Sequence, residues 1–419
     1  MLPLNEVALI LEAFEALASM MYRRAIYLVH RETKSDAVAY GSHLIYSEEG
    51  SVMTTAATSP SLHSISANNR IRKGANLYFI SRTKSRRFAN SLMRLGLFIS
   101  LLAFIFQMKI SLASTTWNMA MPYPSQNFMS QNDRAFAADV ARQTHGQLNI
   151  VVNSDGTLAN NATMISSVAS GVIPLGDMLM SYLSYQNPVY ALDAMPFLAT
   201  SYSQAYKLWM AQKPVVEKLL AKQGLILLYA VPWPPQGLYT QKPVHNIGSL
   251  KGLRIRSYNA TLAELIKLCG GIPIEISVPQ IPQAFSTGIL QAMITSPATG
   301  ANTQAWNYVN YFYDVKAWIP KDMVIINKAK FDALPKDERI ALLDAAKSAE
   351  KRGWATSNKI YAEKMGILEA HGMHVLQPTP QLKSKLDSIG RKMLASWEKE
   401  AGRTGQAIIL GYRKGPTGN

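Results

Sequence analysis

The sequence predicts an α/β protein of two domains. Strand-like and helix-like periodicities alternate from Thr116 onward, a whole β-α-β unit can be read between Ser249 and Glu275, and a proline cluster divides the pattern near its middle. A chain of 419 residues has ample length for two domains and a sizeable core.

Trp117–Met121 reads as a first strand, ended by Pro122-Tyr-Pro-Ser-Gln-Asn127. A helix over 133–143 follows, with Phe136, Val140 and the alanines on one face. Leu148 to Val152 is the next strand, and Ala162 to Ala169 a helix closed by Gly171. A helix rich in Leu and Ala over 202–223 leads to a strand over 225–231. The strand runs into Pro232-Trp-Pro-Pro-Gln-Gly237, where proline fixes φ and removes donors, so a sheet cannot continue and the chain passes to the second domain.

In the β-α-β unit, Leu253 and Ile255 alternate with Arg254 and Arg256, as in a short strand. Leu262, Leu265, Ile266 and Cys269 keep helical spacing, and Gly270-Gly271 stop that helix before a second apolar strand. Ligands of open α/β sheets sit at the C-terminal strand edge, where an arginine fork suits a carboxylate. Both arginines share one face, and Arg256 at the strand end is the candidate ligand group. Met323–Asn327 is the return strand, 332–370 a long helical segment, 372–376 a late strand and 381–401 a terminal helix.

The net charge is +16, with 30 basic against 20 acidic residues from 114 to 419. Those basic residues alternate with acids along helices, the pattern of a solvated face, so no nucleic-acid partner is expected. Residues 84–113 read as an export signal. Lys84, Arg86, Arg87 and Arg94 precede an apolar stretch from Leu95 to Phe106, and Ser111-Leu-Ala113 is a small-x-small cleavage site. The stretch is too short to span a bilayer comfortably, which takes about 20 residues. Residues 1–83 fit no export signal and read as a spurious or disordered extension ahead of the true start. One cysteine, Cys269, excludes an intramolecular disulfide, and no base neighbours it in the manner of a nucleophile.

No catalytic or metal signature is present: there is no nucleophile elbow, phosphate loop or His-Glu-x-x-His. His371 and His374 bracket a turn without a partner ligand, so neither metal nor cofactor is expected.

Leu250-Lys-Gly-Leu-Arg-Ile-Arg256, Gly271-x-Pro273, Gln283-Ala-Phe-Ser-Thr-Gly288 and Trp318-Ile-Pro-Lys321 resemble, in order, the periplasmic substrate-binding subunit of TRAP (tripartite ATP-independent periplasmic) transporters. Thr144-x-Gly146, Leu148–Val152, Gly156-x-Leu158, Val168-x-x-Gly171 and Met195-Pro-Phe197 extend the resemblance, which covers roughly 115–400. It implies a periplasmic-binding-protein-like fold with a central cleft, hinge strands and a long domain-spanning helix. Domain I would comprise 114–235 plus 322–361, and domain II 236–321 plus 362–419. It also implies a monomeric, non-enzymatic periplasmic protein that hands an organic acid to integral membrane subunits, and a carboxylate-binding role for Arg256. A secreted α/β enzyme acting on a carboxylate substrate and a receptor's ligand-sensing module are the alternatives.

Many members of that family carry an arginine where this chain has Gln236, so a second acidic group on the ligand would lack a charge partner. Tyr123, Asn127, Trp233, Tyr239 and Trp318 are expected around the ligand, with Thr295 and Ser296 bonding a 2-oxo or 2-hydroxyl oxygen; Phe128 and Trp306 are expected in the core. The ligand expected is an aryl or alkyl 2-oxo or 2-hydroxy monocarboxylate, in preference to succinate, malate or sialic acid.

Overall fold

A computed structural model describes residues 114–414 continuously and, before them, only isolated helical residues within 19–27 and 93–100. The extension over 1–83 and the signal over 84–113 therefore fall, those few residues apart, outside the described residues. Two compact units are present, Met1–Lys109 and Ile110–Asn419.

The second unit contains two sheets. The first has the order β2-β1-β3-β10-β4, made of Thr115–Ala120 (β1), Leu148–Asn153 (β2), Leu175–Leu179 (β3), Leu225–Pro232 (β4) and Lys321–Asn327 (β10). The second has the order β11-β9-β5-β8-β6-β7, made of Gly237–Thr240 (β5), Arg254–Ser257 (β6), Ile272–Glu275 (β7), Ala292–Thr295 (β8), Tyr311–Tyr313 (β9) and His374–Leu376 (β11). The crossing strands β10 and β5 run antiparallel to their neighbours, whereas β1, β2 and β3 are mutually parallel, as are β6, β7 and β8.

The proline cluster is one crossing between the sheets, and the segment before β10 is a second. They lie side by side: Trp233 N donates to Pro320 O (2.8 Å), Gln236 N to Trp318 O (3.0 Å) and Ala317 N to Gln236 O (2.9 Å). Pro232, Pro234 and Pro235 have no N–H, so the residues between and after them carry these bonds. Gly237 follows at once because a Cβ there would overlap the Phe312 ring.

The helices are Phe128–Gln143 (α1), Asn161–Ala169 (α2), Tyr202–Ala221 (α3), Ala260–Leu268 (α4), Ile281–Ser286 (α5), Pro297–Asn302 (α6), Lys328–Asp332 (α7), Lys336–Ala370 (α8) and Pro380–Lys414 (α9). The 35-residue α8 packs on α1 and β4 at the first sheet and on α6 and β11 at the second, so it spans both lobes. Broken at Gly402 (φ 57°, ψ −146°), α9 packs mainly on α3, with Trp397 Nε1 donating to Pro188 O (2.6 Å) and Tyr412 Oη to Leu198 O (3.0 Å).

Several elements differ from the sequence reading, and the terminal helix, expected over 381–401, runs on to Lys414. β3 and β8 are buried along their whole length and show no alternation, so nothing in their period marks them as strands. β9 spans only Tyr311–Tyr313. α1 begins at Phe128, five residues before the expected start, because Asn127 Oδ1 accepts from Met129 N (2.9 Å) as an N-cap.

Candidate functional site

A cavity of about 280 Å³ lies between the two lobes. Pro122, Tyr123, Asn161, Leu179 and Tyr182 wall it on one side, and Arg256, Tyr258, Glu275, Thr295 and Thr299 on the other. Trp233, Gln236 and Pro320 of the crossings close its back.

Arg256 sits near the C-terminal end of β6, between β7 and β8, and is 2% exposed. Its Nε donates to Ile276 O (2.9 Å), its guanidinium carbon lies 5.1 Å from the centre of the Tyr258 ring, and its Nη1 is buried with no partner. No carboxylate pairs with it among the described residues. Burial lowers its pKa, yet a guanidinium keeps its charge in a protein, so the cavity holds an uncompensated cation. A buried charge without a partner is costly, and an anion entering the cavity would relieve that cost. Arg254 differs. It is exposed at the other end of β6 and holds Ile289 O (3.0 Å) and Gly288 O (2.6 Å).

Five of the nine residues expected at the site line the cavity: Arg256, Gln236, Thr295, Tyr123 and Trp233. The other four stand behind it. Asn127 caps α1; Ser296 caps α6, accepting from Thr299 N (3.1 Å). Tyr239 is packed on Phe312 in the second lobe's core, its hydroxyl donating to Ser296 O (3.1 Å). Trp318 is buried and donates through Nε1 to the Tyr258 hydroxyl (3.2 Å). Period and composition place these residues near the strand ends without saying which way each side chain turns.

That last bond belongs to a chain of supports. The Tyr258 hydroxyl donates to Gln236 Oε1 (3.0 Å), and Gln236 Nε2 donates to Pro234 O (2.8 Å). Gln236 is thus held at both ends of its amide. Of the residues not foreseen, Tyr258 follows Arg256 by two positions, just beyond the strand edge where ligand-contacting loops begin, and that place was a readable signal. Asn161, Tyr182 and Thr299 had none in the sequence. Glu275, at the end of β7, brings a carboxylate to the rim, which opposes a second negative group on a ligand.

Behind the first-lobe wall, Asp322 Oδ1 accepts from Trp233 Nε1 (2.8 Å) and Tyr123 Oη (3.3 Å). Tyr123 and Phe128 both meet the Trp233 ring edge-on, at 5.0 and 5.2 Å. The remaining chemical candidates are occupied by packing. Burial pushes the Cys269 thiol up to about 12, opposite to a reactive thiolate. His371 stacks on Trp306 and His374 on Tyr311, and among the described residues no three His, Cys, Asp or Glu side chains form a metal site.

The family profile of the bacterial extracellular solute-binding proteins, family 7 (DctP), matches residues 119–400. The chain belongs to this family. DctP7, a Bordetella pertussis extracytoplasmic solute receptor binding pyroglutamic acid, is 43% identical, with a TM-score of 0.71 over 72% of this chain and 100% of its own. A marine metagenome TRAP solute-binding protein, specific for pyroglutamate, is 37% identical, with a TM-score of 0.70 over 72% of this chain and 99% of its own. A solute-binding protein of Albidiferax ferrireducens is 24% identical over 272 residues, 64% of this chain and 80% of that relative. The resemblance read from the ordered motifs over roughly 115–400 is therefore correct, and the two-sheet α/β architecture of this family 7 protein is that of its solved relatives.

Proposed function

We propose that this family 7 protein captures a compact organic monocarboxylate outside the cytoplasm and delivers it to the membrane subunits of a TRAP transporter. Arg256 carries the reading: it is a buried guanidinium with an unpartnered Nη1 at a cavity between two lobes. A carboxylate pairs with it in bidentate fashion. Glu275 at the rim and the tethered Gln236 leave a second anion no cationic partner. Mixed rings, amides and hydroxyls favour a small ring with a polar edge over a large aryl body. The two pyroglutamate-binding relatives, 43% and 37% identical, support pyroglutamate or a near analogue as the ligand.

The role is binding and release. No nucleophile with a base stands at the cavity, so ligand recovered after incubation should be chemically unchanged. Calorimetric titration with pyroglutamate, phenylpyruvate and succinate is the test. Pyroglutamate should bind, phenylpyruvate more weakly and succinate least; tight succinate binding with neither monocarboxylate bound overturns the reading.

Export would follow the signal over 84–113, with cleavage after Ala113. In support, β1 begins at Thr115, two residues beyond that site. Intact mass measurement of periplasmic protein should find a chain starting within a few residues of Ser114 and behaving as a monomer on light scattering. Recovery of a chain that retains 1–83 would refute the cleavage.

A further inference from the structure

Three aspartates lie buried together behind the cavity, each no more than 2% exposed: Asp133, Asp177 and Asp322. The strand register explains their meeting. Asp177 of β3 stands opposite Val324, and Asp322 stands opposite Leu179 and Val231, so by period two Asp177 and Asp322 share one sheet face. Asp133 reaches the same face from α1, where Tyr229 of β4 donates to its Oδ1 (2.7 Å). Asp177 lies on that face between the other two, close enough for each carboxyl to act on its neighbours' charge. Buried carboxyls this close, with no cation paired to them, are relieved when one of them carries a proton. Asp133 Oδ2, Asp177 Oδ1 and Asp322 Oδ2 are buried and receive no donor.

The charged and titratable neighbours do not neutralise the group. Arg352 of α8 is committed to Asp139 (3.1 Å) and Asn132 (2.9 Å), and Lys321 is paired with Asp193. Tyr229, Tyr123 and Tyr182 offer hydroxyls, whose own ionisation burial pushes upward. Among the described residues no ion pair includes any of the three aspartates. Burial raises all three carboxyls, Asp133 and Asp322 to about 7 and Asp177 well above the ordinary value.

We infer that Asp133, Asp177 and Asp322 form a proton-sharing network that makes ligand capture at the cavity proton-linked, through Asp322 and its hold on Trp233 and Tyr123. This rests on the reading of the cavity as the organic-acid site. An anion there repels negative charge on the network behind the wall, and its pairing with Arg256 offsets the field of a nearby cation that would favour such charge. Both effects have one sign: capture raises the network's hold on protons, so binding takes up a proton and weakens as pH rises. Asp322 acts as a positioning residue, holding two walls of the cavity without touching the ligand.

The test combines two measurements on wild type, Asp177→Asn and Asp322→Asn. Infrared spectroscopy of the ligand-free protein should show a protonated-carboxyl C=O band at neutral pH that disappears as pH rises and is diminished in Asp177→Asn. Calorimetry with pyroglutamate in buffers of different ionisation enthalpy should show net proton uptake. Affinity should fall from about pH 6 to about pH 9, by as much as about tenfold per pH unit for one linked proton. Asp177→Asn, which keeps the shape but cannot titrate, should bind with a flattened pH profile and reduced uptake; Asp322→Asn should also weaken binding at every pH. Absence of the band, or wild-type binding with no proton uptake and a constant affinity, overturns the inference. A titrating band in a protein that binds no organic acid at any pH would instead refute the binding reading, and the coupling with it.

Discussion

Residue by residue, substitutions at Arg256 separate affinity from stability. Arg256→Ala should cost roughly 2–5 kcal/mol of ligand binding, the range for removing one side of a buried charge pair. Lys should rescue it only in part, since a point charge cannot reproduce the fork, and Arg254→Ala should leave calorimetric affinity within about twofold. Because Arg256 is buried and no carboxylate pairs with it among the described residues, Arg256→Met should leave the ligand-free protein at least as resistant to urea as wild type. Gln236→Arg makes the complementary change. It introduces a second cation but removes the acceptor of the Tyr258 hydroxyl, so monocarboxylate affinity should fall while discrimination against succinate narrows. A variant with unchanged preference on paired titrations would show that Gln236 does not set the charge of the ligand.

At the scale of the element, α8 and the start of β10 connect the lobes under tight constraints. Gly353 of α8 lies against the Val231 side chain, where a Cβ would overlap it, and Gly353→Val should cost about 1–3 kcal/mol through overpacking, read by denaturant titration. Lys321 opens β10 fully buried, with Nζ 3.5 Å from Asp193 Oδ2 and 5.8 Å from the centre of the Trp209 ring. Asp193 also accepts from Lys321 N (2.7 Å), so one carboxylate fixes both ends of this residue. Asp193→Leu alone should cost about 3–5 kcal/mol by stranding a buried ammonium, and adding Lys321→Met should recover most of it. Equal loss in the single and double variants would assign the cost to the backbone bond instead. Neither constraint is visible in the local sequence: the partners of Gly353 and Lys321 lie over 110 residues away in the chain.

At the scale of the whole molecule, the buried carboxylates set the pH dependence of folding. Their folded pKa values are raised above the unfolded ones, to about 7 for Asp133 and Asp322. The folded chain therefore binds more protons than the unfolded chain between the unfolded value near 4 and the folded value, and stability falls as pH rises through that window. Thermal unfolding of ligand-free protein should show a midpoint that declines from about pH 5 to about pH 8 and declines less in Asp177→Asn. A wild-type midpoint constant over that range would mean that these carboxyls ionise normally in the fold.

The α/β alternation, the proline crossing, the long helix and the family are legible in the chain alone, because each is written in local periodicity or in ordered short motifs. Arg256 is also singled out over Arg254, since a period of two puts both on one face and only Arg256 stands at the strand end. Long-range packing sets Tyr239, Ser296, Asn127 and Trp318 behind the cavity and brings Tyr258, Asn161, Tyr182 and Thr299 to line it. Side-chain direction there depends on which strand neighbours which. The same is true of Asp133, Asp177 and Asp322, separated by 44 and 145 positions in the sequence. Each looks like a solvated surface acid until strand register and the packing of α1 bring all three to one buried face, where too few donors exist for all to be charged.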